Sequence, residues 1–290
     1  MNVLVTGSKG QLGNELKELQ GKYSGFLFFF TSKNELDITN YQKTEILIDK
    51  NKIEVIINCA AYTDVDGAEM EPELADKINH LAVRNLAEIS KKKGIQLIHI
   101  STDYVFDGRS SIPYSEKSIA APIGAYGMSK MKGEQAILEL NPTNSIILRT
   151  SWLYSSFGRN FVKTILKLSR EKESLTVVDD QVGSPTYAHD LAQVILNIIP
   201  KIRNKNVEIY HYSNLGKCSW FEFADEIVKQ SKRNYNLIPI SSKDFNSKVK
   251  RPKFSLLNTK KIQEVFKFAV PHWKKSLKKC MIQLDSNGSV

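Results

Sequence analysis

Gly7-Ser8-Lys9-Gly10-Gln11-Leu12-Gly13 follows an apolar run, Asn2–Thr6, and opens a stretch over 11–20 with helical spacing of apolar residues. Glycines spaced GxxGxxG between a strand and a helix allow a tight turn, let the backbone approach a pyrophosphate, and let the helix pack close on the strand. The N–H groups at the start of that helix then face the phosphates. A plain glycine-rich turn is the bland reading. Three glycines in the first strand–turn–helix of the chain favour a dinucleotide site, with Gly7, Gly10 and Gly13 shaping it.

Working outward, apolar runs without polar alternation recur at 26–30, 55–58, 97–101 and 145–148, with helical stretches between them. Such strands lie in a parallel sheet covered on both faces. The expected fold is therefore α/β: a doubly wound, Rossmann-type parallel sheet over residues 1–150. Residues 151–290 are expected to form a smaller mixed α/β domain covering the substrate, with some segments returning to the sheet. Thr39-Asn40-Tyr41-Gln42 and Ser219-Trp220-Phe221-Glu222 read as capping boxes. The stretch 74–92 reads as one long helix stopped by Gly94, and 285–290 as a frayed tail.

Composition narrows the class. The chain of 290 residues carries 41% hydrophobic and 25% charged residues, an ordinary globular balance. No apolar run approaches the roughly 18 residues that span a bilayer, and the first residues lack the form of a signal peptide, so a cytoplasmic protein with no membrane partner is expected. Three cysteines, Cys59, Cys218 and Cys280, have no paired spacing, and five histidines form no metal-type set. No metal is expected. The net charge of +10 reads first as solvated lysine surface; the basic stretch 248–253 comes with no nucleic-acid motif, so no nucleic-acid partner is expected.

The chemistry gathers where the strands end. After the second strand stands Thr31-Ser32-Lys33, with no acid to hold a ribose 2′-hydroxyl; Lys33 can pair with a 2′-phosphate, which favours NADPH while leaving NADH open. Asp37 can reach the adenine edge or cap a helix. Asn58-Cys59-Ala60-Ala61 offers small residues for a cofactor to pack on. Tyr126-Gly127-Met128-Ser129-Lys130 puts a phenol and an ammonium on one helix face. A nearby ammonium favours the phenolate, and such a tyrosine can protonate an oxygen that gains charge as hydride arrives. One YxxxK match is expected by chance, so its position between the fourth and fifth strands is what gives it weight. In Ser101-Thr102-Asp103-Tyr104-Val105-Phe106, Thr102 is the first choice and Ser101 the second for a hydroxyl that donates to the carbonyl being reduced.

With these motifs placed, the sequence resembles the extended short-chain dehydrogenase/reductases, and within them the branch that reduces the C4 ketone of dTDP-4-dehydro-L-rhamnose. The likeness runs nearly end to end. Besides the glycine turn it rests on Asn58-Cys59-Ala60-Ala61-Tyr62-Thr63-Asp64-Val65-Asp66, 101–106, 126–130, Arg149-Thr150-Ser151-Trp152-Leu153-Tyr154, Asn160-Phe161, Asp180-Gln181-Val182-Gly183-Ser184-Pro185-Thr186 and Arg251-Pro252. The resemblance implies that Tyr126 is the proton donor, Lys130 its partner and Thr102 the third member. It implies that Gly10, Gln11, Leu12, Asp37, Ile38, Ala61, Tyr62 and Thr63 touch the cofactor. Asp103, Tyr104 and Trp152 would border the sugar of a dTDP-linked keto sugar, with Asn160 and Arg251 on the nucleotide-sugar side. Trp152 has a core reading as well, and Asp180 a structural one.

Some relatives form magnesium-bridged dimers through glutamates. Glu15 matches one such position but His189 stands at the later one, which argues against magnesium and for a monomer or weak homodimer. Glu134 and Glu139 are expected to be solvated. Three alternatives stay open: a 4,6-dehydratase, against which Tyr104 counts because it replaces the usual glutamate after Thr102-Asp103; an epimerase or a reductase of another 4-keto-6-deoxy sugar; and a non-catalytic cofactor-binding subunit similar to the regulatory beta subunit of methionine adenosyltransferase.

Overall fold

The computed structural model describes all residues except 234, 246–248 and 287–290. Lys248 of the basic stretch and the last four residues of the 285–290 tail thus lie outside the described residues. The first half runs β1 (Asn2–Thr6), α1 (Gln11–Leu19), β2 (Leu27–Thr31), α2 (Tyr41–Lys50), β3 (Val55–Asn58), α3 (Val65–Met70), α4 (Pro72–Asp76), α5 (Ala82–Lys93), β4 (Gln96–Thr102), α6 (Ala125–Leu140) and β5 (Ile146–Thr150). The second runs β6 (Leu153–Tyr154), α7 (Phe161–Glu171), β7 (Ser174–Val178), β8 (Val182–Gly183), β9 (Thr186–Tyr187), α8 (Ala188–Ile198), β10 (Glu208–His211), β11 (Cys218–Ser219), α9 (Trp220–Gln230), β12 (Asn236–Ile240), α10 (Lys260–Phe266) and α11 (Trp273–Ser286).

Six strands form one parallel sheet in the order β10-β5-β4-β3-β1-β2. Alternate residues of each strand face opposite sides. Val3, Val5, Ile57, Ile98 and Leu148 pack with α1 and α8 through Leu12, Leu16, Leu191 and Ile195. Leu4, Ile56, Leu97 and Ile147 pack with α2, α5 and α6 through Ile48, Leu86 and Ile137. Both faces are buried, which is why these strands read as continuous apolar runs. The result is the doubly wound, Rossmann-type α/β fold that the strand–helix alternation predicts.

Residues past 150 divide between two bodies. Helix α8 lies on the sheet beside α1, and β10 pairs with β5 at the sheet edge. The short pairs β6–β9, β7–β12 and β8–β11 build a smaller lobe with α7, α9 and α11 around Tyr154, Val162, Phe223 and Trp273. No described helix is long and apolar enough to cross a membrane.

Local signals behave as their chemistry dictates. Gly94 ends α5 in the left-handed region (φ 65), and Ser219 and Glu222 form a reciprocal capping box on α9. Two expectations need correction. Asn40, not Thr39, caps α2, its side chain accepting from Lys43 N at 2.9 Å. The long helix expected over 74–92 starts earlier, at Pro72, and is interrupted by a π turn, Lys77–Leu81. There Asn79 turns inward, accepting from Tyr62 N and donating to Tyr62 O, both at 2.9 Å. The wider turn is thereby bonded to the segment leaving β3, a tertiary contact that overrides the helical period.

Candidate active site

Five strands end in small polar residues at one edge of the sheet: Thr6, Thr31, Asn58, Thr102 and Thr150. A cavity of about 880 Å³ opens over that edge. It lies where the chain's crossovers reverse between β1 and β3, the crevice in which doubly wound sheets bind ligands.

The glycine turn forms its floor. Gly7 has φ 66, and a Cβ there would sit 2.7 Å from Ala60 N; a Cβ on Gly13 would sit 2.6 Å from Gly7 O and Ser8 Cα. No side chain caps α1 at Gly10, so the first-turn N–H groups keep their capacity to donate. Gly7, Gly10, Gln11, Leu12, Gly13, Asp37, Ile38, Ala61 and Thr63 all line the cavity. A backbone cradle without Cβ atoms, closed by an uncapped helix start, fits a dinucleotide pyrophosphate. Tyr62 is not among the lining residues; its hydroxyl donates to Glu71 Oε2 at 2.9 Å. Asp37 lines the cavity and accepts from Thr39 N at 3.0 Å in the loop before α2; it does not cap that helix, whose N-cap is Asn40.

Ser32 and Lys33 border the far end, and the sequence conceals one acid near them. Glu35 accepts from Ser32 N at 2.7 Å and from Ser32 Oγ at 2.6 Å, and those bonds hold its carboxyl below the usual range. It does not line the cavity, so Lys33 keeps a lining free of that carboxylate.

The opposite end holds the hydroxyls. Thr102, the last residue of β4, donates to Asp103 Oδ1 and accepts from Tyr104 N, each at 3.1 Å. Tyr126 enters from the first turn of α6, which can approach because residue 127 is glycine: a Cβ there would run into the Tyr104 carbonyl. The ring of Tyr104 meets that of Tyr126 edge-on, centroids 5.5 Å apart. Ser101, the second-choice hydroxyl, is committed elsewhere, donating to Glu134 Oε1 at 2.5 Å.

The electrostatics differ from the sequence expectation. Lys130 Nζ donates to Ile100 O at 2.7 Å and lies 3.1 Å from His99 Nε2, rather than on the Tyr126 phenol. Burial pushes Tyr126 up to about 12, with a hydrogen bond from Thr102 pulling the other way. The phenol therefore keeps its proton, as a donor must, and is not acidified by the ammonium here. Burial lowers Lys130 to about 8, against the support of the Glu134 charge. Burial raises Asp103 to about 6 and Cys59 to about 12, so the cavity thiol is not poised to react.

Glu134 corrects a sequence expectation. It is 2% exposed, paired with Arg149 at 2.6 Å across two buried side chains, whereas Glu139 is solvated as expected. Together with Ser101 the pair pins α6 to β4 and β5.

The smaller lobe supplies the roof. Trp152 lines the cavity and stacks on Trp220 at 3.6 Å, so its aromatic-core and cavity readings hold together. It sits at φ 49, an unusual conformation for a bulky residue, held by Thr186 N donating to Trp152 O at 3.1 Å. Asn160 also lines the cavity but spends its amide capping α7, accepting from Lys163 N at 3.1 Å and donating to Ser155 O at 2.7 Å. Arg251 is not among the lining residues; its Nη2 donates to Asp66 Oδ2 at 3.0 Å. Asp180 is tied to Ser242 N and Oγ, both at 2.8 Å, which makes it structural. Glu15 is fully buried between Ser155 Oγ at 2.5 Å and His189 Nδ1 at 2.9 Å, an internal link rather than a surface carboxylate. Sequence reading assigned no role to His99, Asn79 or Arg149, because their roles depend on contacts between distant strands and helices.

A glycine cradle, a helix start and a tyrosine–lysine pair over one parallel sheet define the class: an extended short-chain dehydrogenase/reductase. More narrowly, the chain belongs to the family described as "RmlD substrate binding domain", whose model matches residues 1–286. A curated relative from Aggregatibacter actinomycetemcomitans, dTDP-4-dehydrorhamnose reductase, is 42% identical, covering 95% of this chain and 97% of its own. A crystal structure of dTDP-4-dehydrorhamnose reductase from Bacillus anthracis in complex with NADP is 40% identical, with TM-score 0.91 over 97% of this chain and 99% of that one. The Clostridium acetobutylicum dTDP-4-dehydrorhamnose reductase is 39% identical, with TM-score 0.92 over 98% and 100%.

Proposed function

We propose that this chain reduces the C4 ketone of dTDP-4-dehydro-L-rhamnose to dTDP-L-rhamnose in dTDP-rhamnose biosynthesis. The observation that carries the reading is that Thr102, Tyr126 and Lys130 line the same cavity as the glycine turn. The substrate and the nicotinamide cofactor follow the names of the relatives.

NADPH, when bound, supplies the hydride. Gly7, Gly10, Gln11, Leu12 and Gly13 hold its pyrophosphate, Lys33 its 2′-phosphate, and Asp37, Ile38, Ala61 and Thr63 its adenosine and nicotinamide flanks. Tyr126 donates its phenolic proton to the ketone oxygen as charge develops there, and its raised pKa keeps that proton in place until then. The Thr102 hydroxyl turns from Asp103 to the same oxygen. The Lys130 ammonium offsets the charge left on the phenol. Trp152, Tyr104 and Asp103 enclose the sugar, with Asn160 and Arg251 toward the nucleotide. Residues 1–150, joined by α8 and β10, form the cofactor body, and the rest of 151–290 forms the cover. The protein works in the cytoplasm as a monomer or weak homodimer.

Tyr126→Phe is the test. It removes the proton and little volume, so turnover of NADPH with dTDP-4-dehydro-L-rhamnose falls about 10²–10⁴-fold while NADPH affinity stays unchanged. A fully active Tyr126→Phe enzyme removes the mechanism. A wild-type chain that binds NADPH but reduces no keto sugar favours a regulatory role.

A further inference from the structure

Behind the cavity, four polar side chains cross the carboxyl ends of three strands. Lys130 Nζ lies 3.1 Å from His99 Nε2; the Asn58 amide lies 3.0 Å from His99 Nδ1; Thr6 bonds the other side of that amide at 2.6 Å. Lys130, His99, Asn58 and Thr6 are each 0–1% exposed. A histidine in a sheet interior is ordinarily a satisfied core residue, and Asn58 alone would satisfy one of its nitrogens. The other nitrogen faces an ammonium, which can only donate.

We infer that His99 is the positioning residue for Lys130: a neutral imidazole, held in the Nδ1–H tautomer, whose Nε2 lone pair aims the ammonium into the cavity. Of the three N–H bonds on Lys130, one goes to Ile100 O and one to Nε2; the third is left for the cavity that Lys130 lines. With Nε2 accepting, the ring proton sits on Nδ1 and needs an acceptor. Asn58 then turns its carbonyl oxygen to the ring and its NH₂ to Thr6, an exchange that leaves the shape of the amide unchanged. Burial and the neighbouring ammonium both keep the ring uncharged.

Every element around Lys130 bears on its charge. His99 faces it from β4, Cys59 acts on it from the exit of β3 and Glu134 from its own helix with Arg149 of β5 behind, while Tyr126 stands one turn earlier on α6. Cys59 stays a neutral thiol and Tyr126 a neutral phenol. Glu134 supports the cation through space, and His99 is the side-chain hydrogen-bond partner of Lys130 among the described residues. Removing the imidazole therefore deprives the ammonium of an acceptor and lowers its pKa further.

The inference rests on the proposed reduction, and the experiment separates the two. Nitrogen-15 spectra of histidine-labelled protein at neutral pH, with His99 assigned by its loss in His99→Gln, show Nε2 unprotonated and Nδ1 protonated. A proton on Nε2 overturns the inference whether or not the enzyme is active. In kinetics, His99→Leu moves the alkaline limb of the kcat–pH profile down by about one unit or more, the scale of one charged hydrogen bond. His99→Gln, which keeps an acceptor near the Nε2 position, restores the limb. A folded His99→Leu enzyme with an unmoved limb also overturns it, and if that variant fails to fold, the spectrum decides alone. Absence of turnover in the wild-type chain, with the tautomer as stated, sinks the proposed function and not the His99 assignment.

Discussion

Glu134→Gln removes one charge and almost no volume from the most buried ion pair among the described residues. The carboxylate takes Arg149 Nη2 at 2.6 Å and Nε at 2.9 Å, and Ser101 Oγ at 2.5 Å. Arg149 is 3% exposed, so its guanidinium cannot turn to water. Two neighbours remain, the Phe106 ring 5.0 Å away and His211 3.4 Å away, and burial pushes that histidine down to about 3, so it supplies no counter-charge. Breaking a buried pair from one side costs about 3–5 kcal/mol, and the retained amide bonds place this variant near the lower end. With an unfolding entropy of about 2.1 cal/mol/K per residue, 290 residues give about 0.6 kcal/mol/K, so Tm falls by about 5 °C. Thermal unfolding followed by circular dichroism reads this directly, with Glu139→Gln on the exposed side of the same helix as the control. The variant also draws the alkaline limb of kcat to lower pH, because the Glu134 charge holds the Lys130 ammonium up. A Tm within about 1 °C of wild type, or an equal fall in Glu139→Gln, refutes the assignment of a paired, desolvated carboxylate.

Two further outcomes follow from the same structure. Asp103 is raised from 3.8 to about 6 by burial, so between those values the folded chain holds a proton that the unfolded chain has released. Stability is then lost as pH rises from about 4 to about 6, and Asp103→Asn gains in Tm relative to wild type across that window before levelling off; a flat difference counts against the burial argument. Gly13→Ala places a methyl 2.6 Å from the backbone of Gly7 and Ser8, which cannot yield without opening the turn. Overpacking of about 1–3 kcal/mol weakens NADPH binding by about tenfold or more in calorimetry, and wild-type affinity would clear the turn of its assigned role.

Local chemistry at the strand ends was open to sequence reading because each motif carries its own cause. Gly13 is glycine because the turn folds back on Gly7; Gly94 and the Ser219–Glu222 box end and begin helices by bonds within a few residues. What depends on a distant partner was not legible. The π turn at Lys77–Leu81 is set by Asn79 reaching Tyr62, and β10 is four residues whose strand character comes from pairing with β5. The His99 assignment needs three strands side by side, which no spacing along one strand reveals.

Glu134 is the instructive case, because its signal was present. Tyr126, Lys130 and Glu134 stand four residues apart, so a helix face that carries the first two over the sheet carries the third with them. Glu139 falls five residues later and leaves that face. The same i,i+4 rule that brings the phenol and the amine together therefore predicts a carboxylate under β4. A buried carboxylate demands a cation, and the parallel order β5-β4 offers one residue at the right depth, Arg149, whose register partner is Ser101. The burial of Glu134, the commitment of Ser101 to it and the choice of Thr102 as the hydroxyl that lines the cavity beside Tyr126 are then one consequence of helix period meeting strand register.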